Sequence, residues 1–196
     1  LGRRHIINNW NVGTLDNMAL NACHVLVQFN CRPLKTEEKI KWVLDGKTKT
    51  PIELENLAIT EAAHDPSETP QYYLDCQMYQ RSCDTFLGLG YNIASYALLT
   101  HILCKVCNMV PGDYIHSFGD VHIYDNHMAQ IDEQLLRDVR VLPNLKFSDW
   151  FENSIKENHP EIDLNTWIGS LSIKDFIIEN YNPHPTIKGK LSTGLQ

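Results

Sequence analysis

The clearest pattern in the chain is the apolar stretch at residues 93–108, which contains neither Gly nor Pro and shows no strand-like alternation. It predicts a long helix buried on most of its faces. Upstream, residues 4–12 mix β-branched and aromatic side chains and run into Gly13-Thr14, which predicts a strand and its exit. Residues 23–30, rich in Val, Leu and Phe, predict a second strand with Cys23 at its start, and residues 72–80 a third. Val110-Pro111-Gly112-Asp113 ends the long helix. Short strands are expected at residues 114–117 and 121–124, a second helix at 126–137 and a final strand at 173–181. Two polar stretches interrupt this pattern. Residues 32–71 are dominated by Lys, Glu, Thr and Pro, with Asp65-Pro66-Ser67-Glu68-Thr69-Pro70 as a loop signal and one short helix near 36–44. Residues 149–170 read as another insertion, and both are expected at the surface.

This mixture predicts an α+β fold, with strands gathered in one or two sheets and helices segregated from them. The length of 196 residues favours a single catalytic domain, 1–196, carrying polar insertions at about 32–71 and 149–170. Apolar content of 43% and charged content of 21% are ordinary for a globular protein and argue against disorder and coiled coil. A net charge of −7 repels nucleic acid overall, so no nucleic-acid partner is expected, although a mononucleotide is permitted. The apolar runs are shorter than the roughly 20 residues of a membrane helix, and no signal pattern opens the chain. A cytoplasmic protein without a membrane partner is the expectation, in the host cytoplasm if the source is viral.

Six cysteines, Cys23, Cys31, Cys76, Cys83, Cys104 and Cys107, are expected to be reduced thiols. Cys104 and Cys107 have CxxC spacing beside His101. They lie in the helical stretch without a second ligand pair, so a buried structural role is expected and no metal. A cysteine becomes a nucleophile when a nearby cation stabilises its thiolate, which directs attention to Cys23-His24 and Arg81-Ser82. Arg81 and Ser82 together offer a phosphate a guanidinium fork and a hydroxyl, and Arg3-Arg4 adds a second basic pair. Asn92 could present one donor and one acceptor to a pyrimidine edge. His122 and Tyr124, two residues apart, would share one face of a strand. Each has a plainer explanation: a small core thiol, surface ion pairs, a helix cap or half-buried sheet. Periodicity does not choose between them.

Five blocks in order closely resemble the thymidylate synthase family. They are Leu20-Asn21-Ala22-Cys23-His24, the segment 77–84 around Gln80-Arg81-Ser82, the segment 86–99 around Asn92, the segment 119–127 holding His122 and Tyr124, and Tyr181-Asn182-Pro183-His184-Pro185. The resemblance spans residues 3–191 apart from the two polar stretches. It implies a mixed sheet packed on long helices, with the sheet at a homodimer interface. It also implies that Cys23 attacks C6 of dUMP and that C5 then captures the one-carbon unit of methylene-tetrahydrofolate, the cosubstrate. On this basis Arg81 touches both phosphate and the Cys23 sulfur, and Ser82 binds phosphate. Gln80 and Asn92 are substrate-binding, with Asn92 reading the O4 and N3 edge. His122 and Tyr124 bind the deoxyribose hydroxyl, and Asp84 takes the pterin side of the folate. Arg3 and Arg4 are implied to reach the phosphate in the partner subunit. An amide at position 92, where the family's cytosine-specific hydroxymethylases carry an aspartate, favours dUMP over dCMP.

Three departures from the family pattern shape these expectations. The chain opens almost at Arg3-Arg4, so a partial chain lacking the N-terminal region is expected. Asn21-Ala22 stands where the family has two prolines, which would leave the approach to the thiol less rigid. The ending Lys190-Leu191-Ser192-Thr193-Gly194-Leu195-Gln196 is polar where the family has a short apolar tail that closes over the folate. If water rather than hydride reaches the methylene intermediate, the product is the 5-hydroxymethyl nucleotide, so a dUMP hydroxymethylase is the second expectation. An inert nucleotide- or RNA-binding homologue is the third.

Overall fold

The computed structural model describes residues 2–44, 69–158 and 163–192, and its contacts divide the chain into two compact units, Leu1–His122 and Ile123–Gln196. In the first unit β1 (His5–Asn8), β2 (His24–Pro33), β3 (Tyr72–Asp84) and β4 (Val110–His122) form one sheet in that order. β1, β2 and β3 pair antiparallel, whereas β4 runs parallel to β3. A parallel neighbour requires a crossover, supplied here by α2 (Leu89–Val106), and α1 (Thr36–Leu44) follows β2. The architecture is therefore α+β with a mixed sheet, as the pattern predicts.

Successive side chains alternate across the sheet, so opposed residues assign the faces. The row Ile7, Val27, Met78, His116 lies on the face that α2 covers. There Val27, Phe29, Leu74, Cys76, Met78 and Cys104 form the core, with Tyr96, Leu99, Leu103 and Tyr114 packed against it. The neighbouring row, Ile6, Gln28, Gln77 and Ile115, lies on the opposite face. On that face Ile6, Tyr79 and Ile115 are each 42 to 49% exposed.

α2 ends in a left-handed turn: Asn108 takes φ 48°, Asn108 N donates to Lys105 O and Met109 N donates to Cys104 O at 2.8 Å. This turn delivers the chain into β4. Asp75 completes the corner, accepting from Asp113 N at 2.9 Å and from the Arg32 guanidinium at 3.4 Å. The helix starts four residues before the predicted 93 because Asp84 organises the preceding turn, its Oδ1 accepting from Phe86 N and Leu87 N. Gly88 fits closely there, since a Cβ would stand 3.0 Å from Asp84 O.

In the second unit a 3-10 turn (Asp125–His127) leads into α3 (Met128–Leu135). β5 (Asn144–Phe147) pairs antiparallel with β6 (Phe176–Glu179). Between them lie α4 (Asp149–Asn158) and α5 (Leu164–Ser170), where a polar insertion is expected. The expectation of a surface decoration fails for these residues: Phe151 and Trp167 are buried and meet edge to face at 5.3 Å. Phe147 stacks on Phe151 at 4.2 Å. Two aromatic side chains in a polar background suffice to anchor a small core, which average polarity conceals.

Other boundaries differ for local reasons. The strands expected at 114–117 and 121–124 are one strand that stops at His122, leaving Tyr124 outside it. The final strand shortens to Phe176–Glu179 because a capping box at Ser172 and Asp175 turns the preceding residues into a 3-10 helix. Of the first polar stretch, residues 45–68 lie outside the described residues, while the helix at 36–44 is present. Cys104 is buried, but Cys107 caps the helix and is exposed, contrary to expectation. Among the described residues no helix is long and apolar enough to cross a membrane.

Candidate active site

Cys23 stands at the end of the loop that enters β2, part-buried, with its Sγ 3.9 Å from Asn21 O. The loop is held by Arg81 on the neighbouring strand. Arg81 Nε donates to Ala22 O at 3.0 Å, one terminal nitrogen donates to Asn21 O at 2.8 Å, and Arg81 N donates to Cys23 O at 2.9 Å. A planar guanidinium can bind two successive carbonyls because its donors are fixed in a fork. The rigidity that prolines would give this approach is thus supplied by charge-assisted hydrogen bonds from the side. Trp10 covers the arginine, its ring centroid 5.8 Å from the guanidinium carbon. Clamping this loop is a role for Arg81 that the sequence did not suggest.

Gly119 lets β4 pass this point, because a Cβ would lie 2.7 Å from Arg81 O. Ser82 pairs with Asp120, and its hydroxyl makes no hydrogen bond to the described residues. Two residues on, Asp84 pairs with His122 across the parallel strands. The Asp84 Oδ1 atom is committed to the turn before α2. His122 Nδ1 lies 3.5 Å from Asp120 Oδ2.

Gln80 is nearly fully buried on the helix-covered face. Its amide nitrogen donates to Ser82 O at 2.8 Å and to Asn92 Oδ1 at 3.1 Å, while its oxygen lies 3.0 Å from His116 Nε2. Asn92, in the first turn of α2, is therefore held by strand β3 and is not a free helix cap. Both polar atoms of the Gln80 side chain have partners within the protein, and through one of them Gln80 holds Asn92. His116 went unrecognised in the sequence. Its signal is that it shares the core face with Tyr114, where an imidazole needs a polar partner.

Arg3 and Arg4 precede the edge strand β1 and are exposed; Arg3 O accepts from Gln28 Nε2 at 3.2 Å. Because β1 runs antiparallel to β2, with His5 opposite Phe29 and Asn8 opposite Leu26, Arg3 and Arg4 lie toward the end of β2 away from Cys23. Tyr124 belongs to the second unit, where it precedes the 3-10 turn and meets His127 edge to face at 5.9 Å. Among the described residues no group of three or more His, Cys, Asp or Glu is placed to hold a metal ion.

A loop at Cys23 clamped by Arg81, with half-buried Asn92 at the start of the main helix held by buried Gln80, places a thiol, a guanidinium and an amide on one α+β unit. The thymidylate synthase family model matches residues 1–193, and the chain belongs to that family. The family comprises methyltransferase-type enzymes of nucleotide biosynthesis that use methylenetetrahydrofolate as cosubstrate.

Proposed function

We propose that the protein is a thymidylate synthase, forming dTMP from dUMP through a covalent adduct on Cys23. The observation that carries this reading is the fork of Arg81 on the two carbonyls before Cys23, which holds the loop that presents the thiol. Cys23 Sγ adds to C6 of the pyrimidine, making C5 a carbon nucleophile. C5 bonds to the one-carbon unit and loses its proton, the bond from that carbon to the folate nitrogen breaks to leave an exocyclic methylene, and hydride addition to this methylene expels the thiolate from C6 and restores the ring. The cosubstrate supplies the methylene carbon and the hydride that reduces it to methyl.

Within this reading Asn92 faces the O4 and N3 edge and Ser82 binds phosphate. His122 and Tyr124 bind the sugar hydroxyl, and Asp84 orients the folate through Oδ2. Exposed Arg3 and Arg4 reach the phosphate in a partner subunit. The half-exposed Ile6, Tyr79 and Ile115 on the uncovered sheet face support a homodimer formed through that face.

The test is the product mass and the folate redox state after incubation with dUMP and methylene-tetrahydrofolate. Thymidylate with dihydrofolate is expected. A 5-hydroxymethyl nucleotide with tetrahydrofolate would replace the synthase with a hydroxymethylase. Absence of either product from folded protein, together with no Cys23 adduct on 5-fluoro-dUMP, would reject the enzymatic reading. Cys23→Ser is expected to abolish the adduct.

A further inference from the structure

The orientation of the Gln80 side chain is forced by its surroundings. A backbone carbonyl only accepts, so the atom 2.8 Å from Ser82 O must be the amide nitrogen. Gln80 Oε1 then faces His116, and His116 Nε2 must carry the proton it donates across 3.0 Å. The same Gln80 nitrogen lies 3.1 Å from Asn92, which therefore turns its oxygen inward to accept. The order of donors and acceptors runs from His116 through Gln80 to Asn92 without a free choice at any link.

Burial first, and then His24, lower the His116 pKa, so its imidazole is neutral at neutral pH. Its Nδ1 is buried without a hydrogen-bond partner among the described residues, which agrees with a neutral ring protonated on Nε2. The ring is fixed by neighbours on its own strand: Phe118 at 3.9 Å and Tyr114 at 5.4 Å between centroids. Two tilted ring contacts along one strand thus flank the imidazole whose N–H meets the amide oxygen.

Uracil and cytosine present opposite patterns at this edge. Uracil offers an acceptor at O4 and a donor at N3, whereas cytosine offers a donor at N4 and an acceptor at N3. A side-chain amide matches either base, but only in one of two orientations related by a half-turn. An asparagine free to rotate would discriminate poorly.

We propose that His116 is a positioning residue for base choice, holding the Asn92 amide through Gln80 in the orientation that complements uracil and opposes cytosine. The inference rests on the reading of Asn92 as the base-contacting residue. Without the imidazole donor, Gln80 Oε1 is orphaned at a site only 3% exposed and Ser82 O is left as the one anchor of the amide, so side-chain positions that carry the oxygen to a new donor and release Asn92 become competitive. Asn92 would then populate its inverted amide, weakening uracil and admitting cytosine.

The experiment measures dissociation constants of dUMP and dCMP by titration calorimetry for the wild type, His116→Phe and His116→Gln, with thermal melting as the control for folding. His116→Phe preserves a ring against Phe118 and Tyr114 but removes the donor. It is expected to weaken dUMP about tenfold or more and to lower the ratio of dCMP to dUMP dissociation constants by a similar factor. His116→Gln, which restores a donor, is expected to recover most of that ratio; a merely structural role would not produce this recovery. Should His116→Phe fail to fold, His116→Leu makes the same test. An unchanged ratio in a folded donor-less variant, with wild-type dUMP binding intact, overturns this inference alone. A wild type that binds neither nucleotide overturns the reading of the site as well.

Discussion

Replacing Arg81 with lysine separates the charge of this side chain from its shape. Both side chains are cationic, but only the guanidinium can reach Ala22 O at 3.0 Å and Asn21 O at 2.8 Å together. A lysine ammonium retains one of these bonds at best. A hydrogen bond from a charged group contributes about 1.5–3 kcal/mol, so the loop ahead of Cys23 loses roughly that much of its restraint. If the restraint is needed to place the sulfur, adduct formation slows by about 10- to 160-fold, at 1.36 kcal/mol per tenfold. The assay is the single-turnover rate of the 5-fluoro-dUMP adduct on Cys23, followed by intact mass. Alkylation of Cys23 by iodoacetamide without nucleotide provides a second reading of the loop. A folded Arg81→Lys protein that forms the adduct within threefold of the wild-type rate would refute the argument that the fork, rather than the charge, organises the nucleophile.

Met78 is fully buried at the centre of the first core, so Met78→Ala should cost about 2–5 kcal/mol, read as a lower urea midpoint with an unchanged slope. In the second unit, Asp175 receives hydrogen bonds from Ser172 N at 2.7 Å and the Ser148 hydroxyl at 2.7 Å, which hold its carboxyl below the usual carboxylate range. A depressed folded pKa gives stability that is present above the ordinary value of 3.8 and fades as pH falls through the depressed one. Asp175→Asn should therefore melt lower than the wild type at neutral pH, and the gap should close below about pH 4; a gap constant with pH would contradict this. With the uncovered sheet face as the proposed dimer interface, Ile115→Asp puts a charge there and should leave a monomer in sedimentation, with loss of activity; a variant that still sediments as a dimer would place the interface elsewhere.

The elements that were legible in the sequence are those whose cause is local. The helix at α2 follows from an uninterrupted apolar run, and its stop follows from Val110-Pro111-Gly112. β2 and β3 follow from dense Val, Leu, Phe and Tyr, and the five ordered motifs sufficed to indicate the family. The sequence also singled out Cys23, Arg81 and Asn92, whose residue types advertise a thiol, a fork and an amide. It did not disclose that α4 and α5 belong to a packed core, because the burial of Phe151 and Trp167 depends on a strand pair formed by residues 144–147 and 176–179.

Only the tertiary structure decided what each candidate holds. Arg81 and Asn21 are sixty positions apart, and it is the β2–β3 register that brings the guanidinium to the carbonyls before Cys23. His116 and Gln80 are thirty-six positions apart and meet because β4 runs parallel to β3 after the crossover. Sequence records which donors and acceptors exist. Which donor faces which acceptor is set by strand register, a property of the folded sheet that no single segment carries.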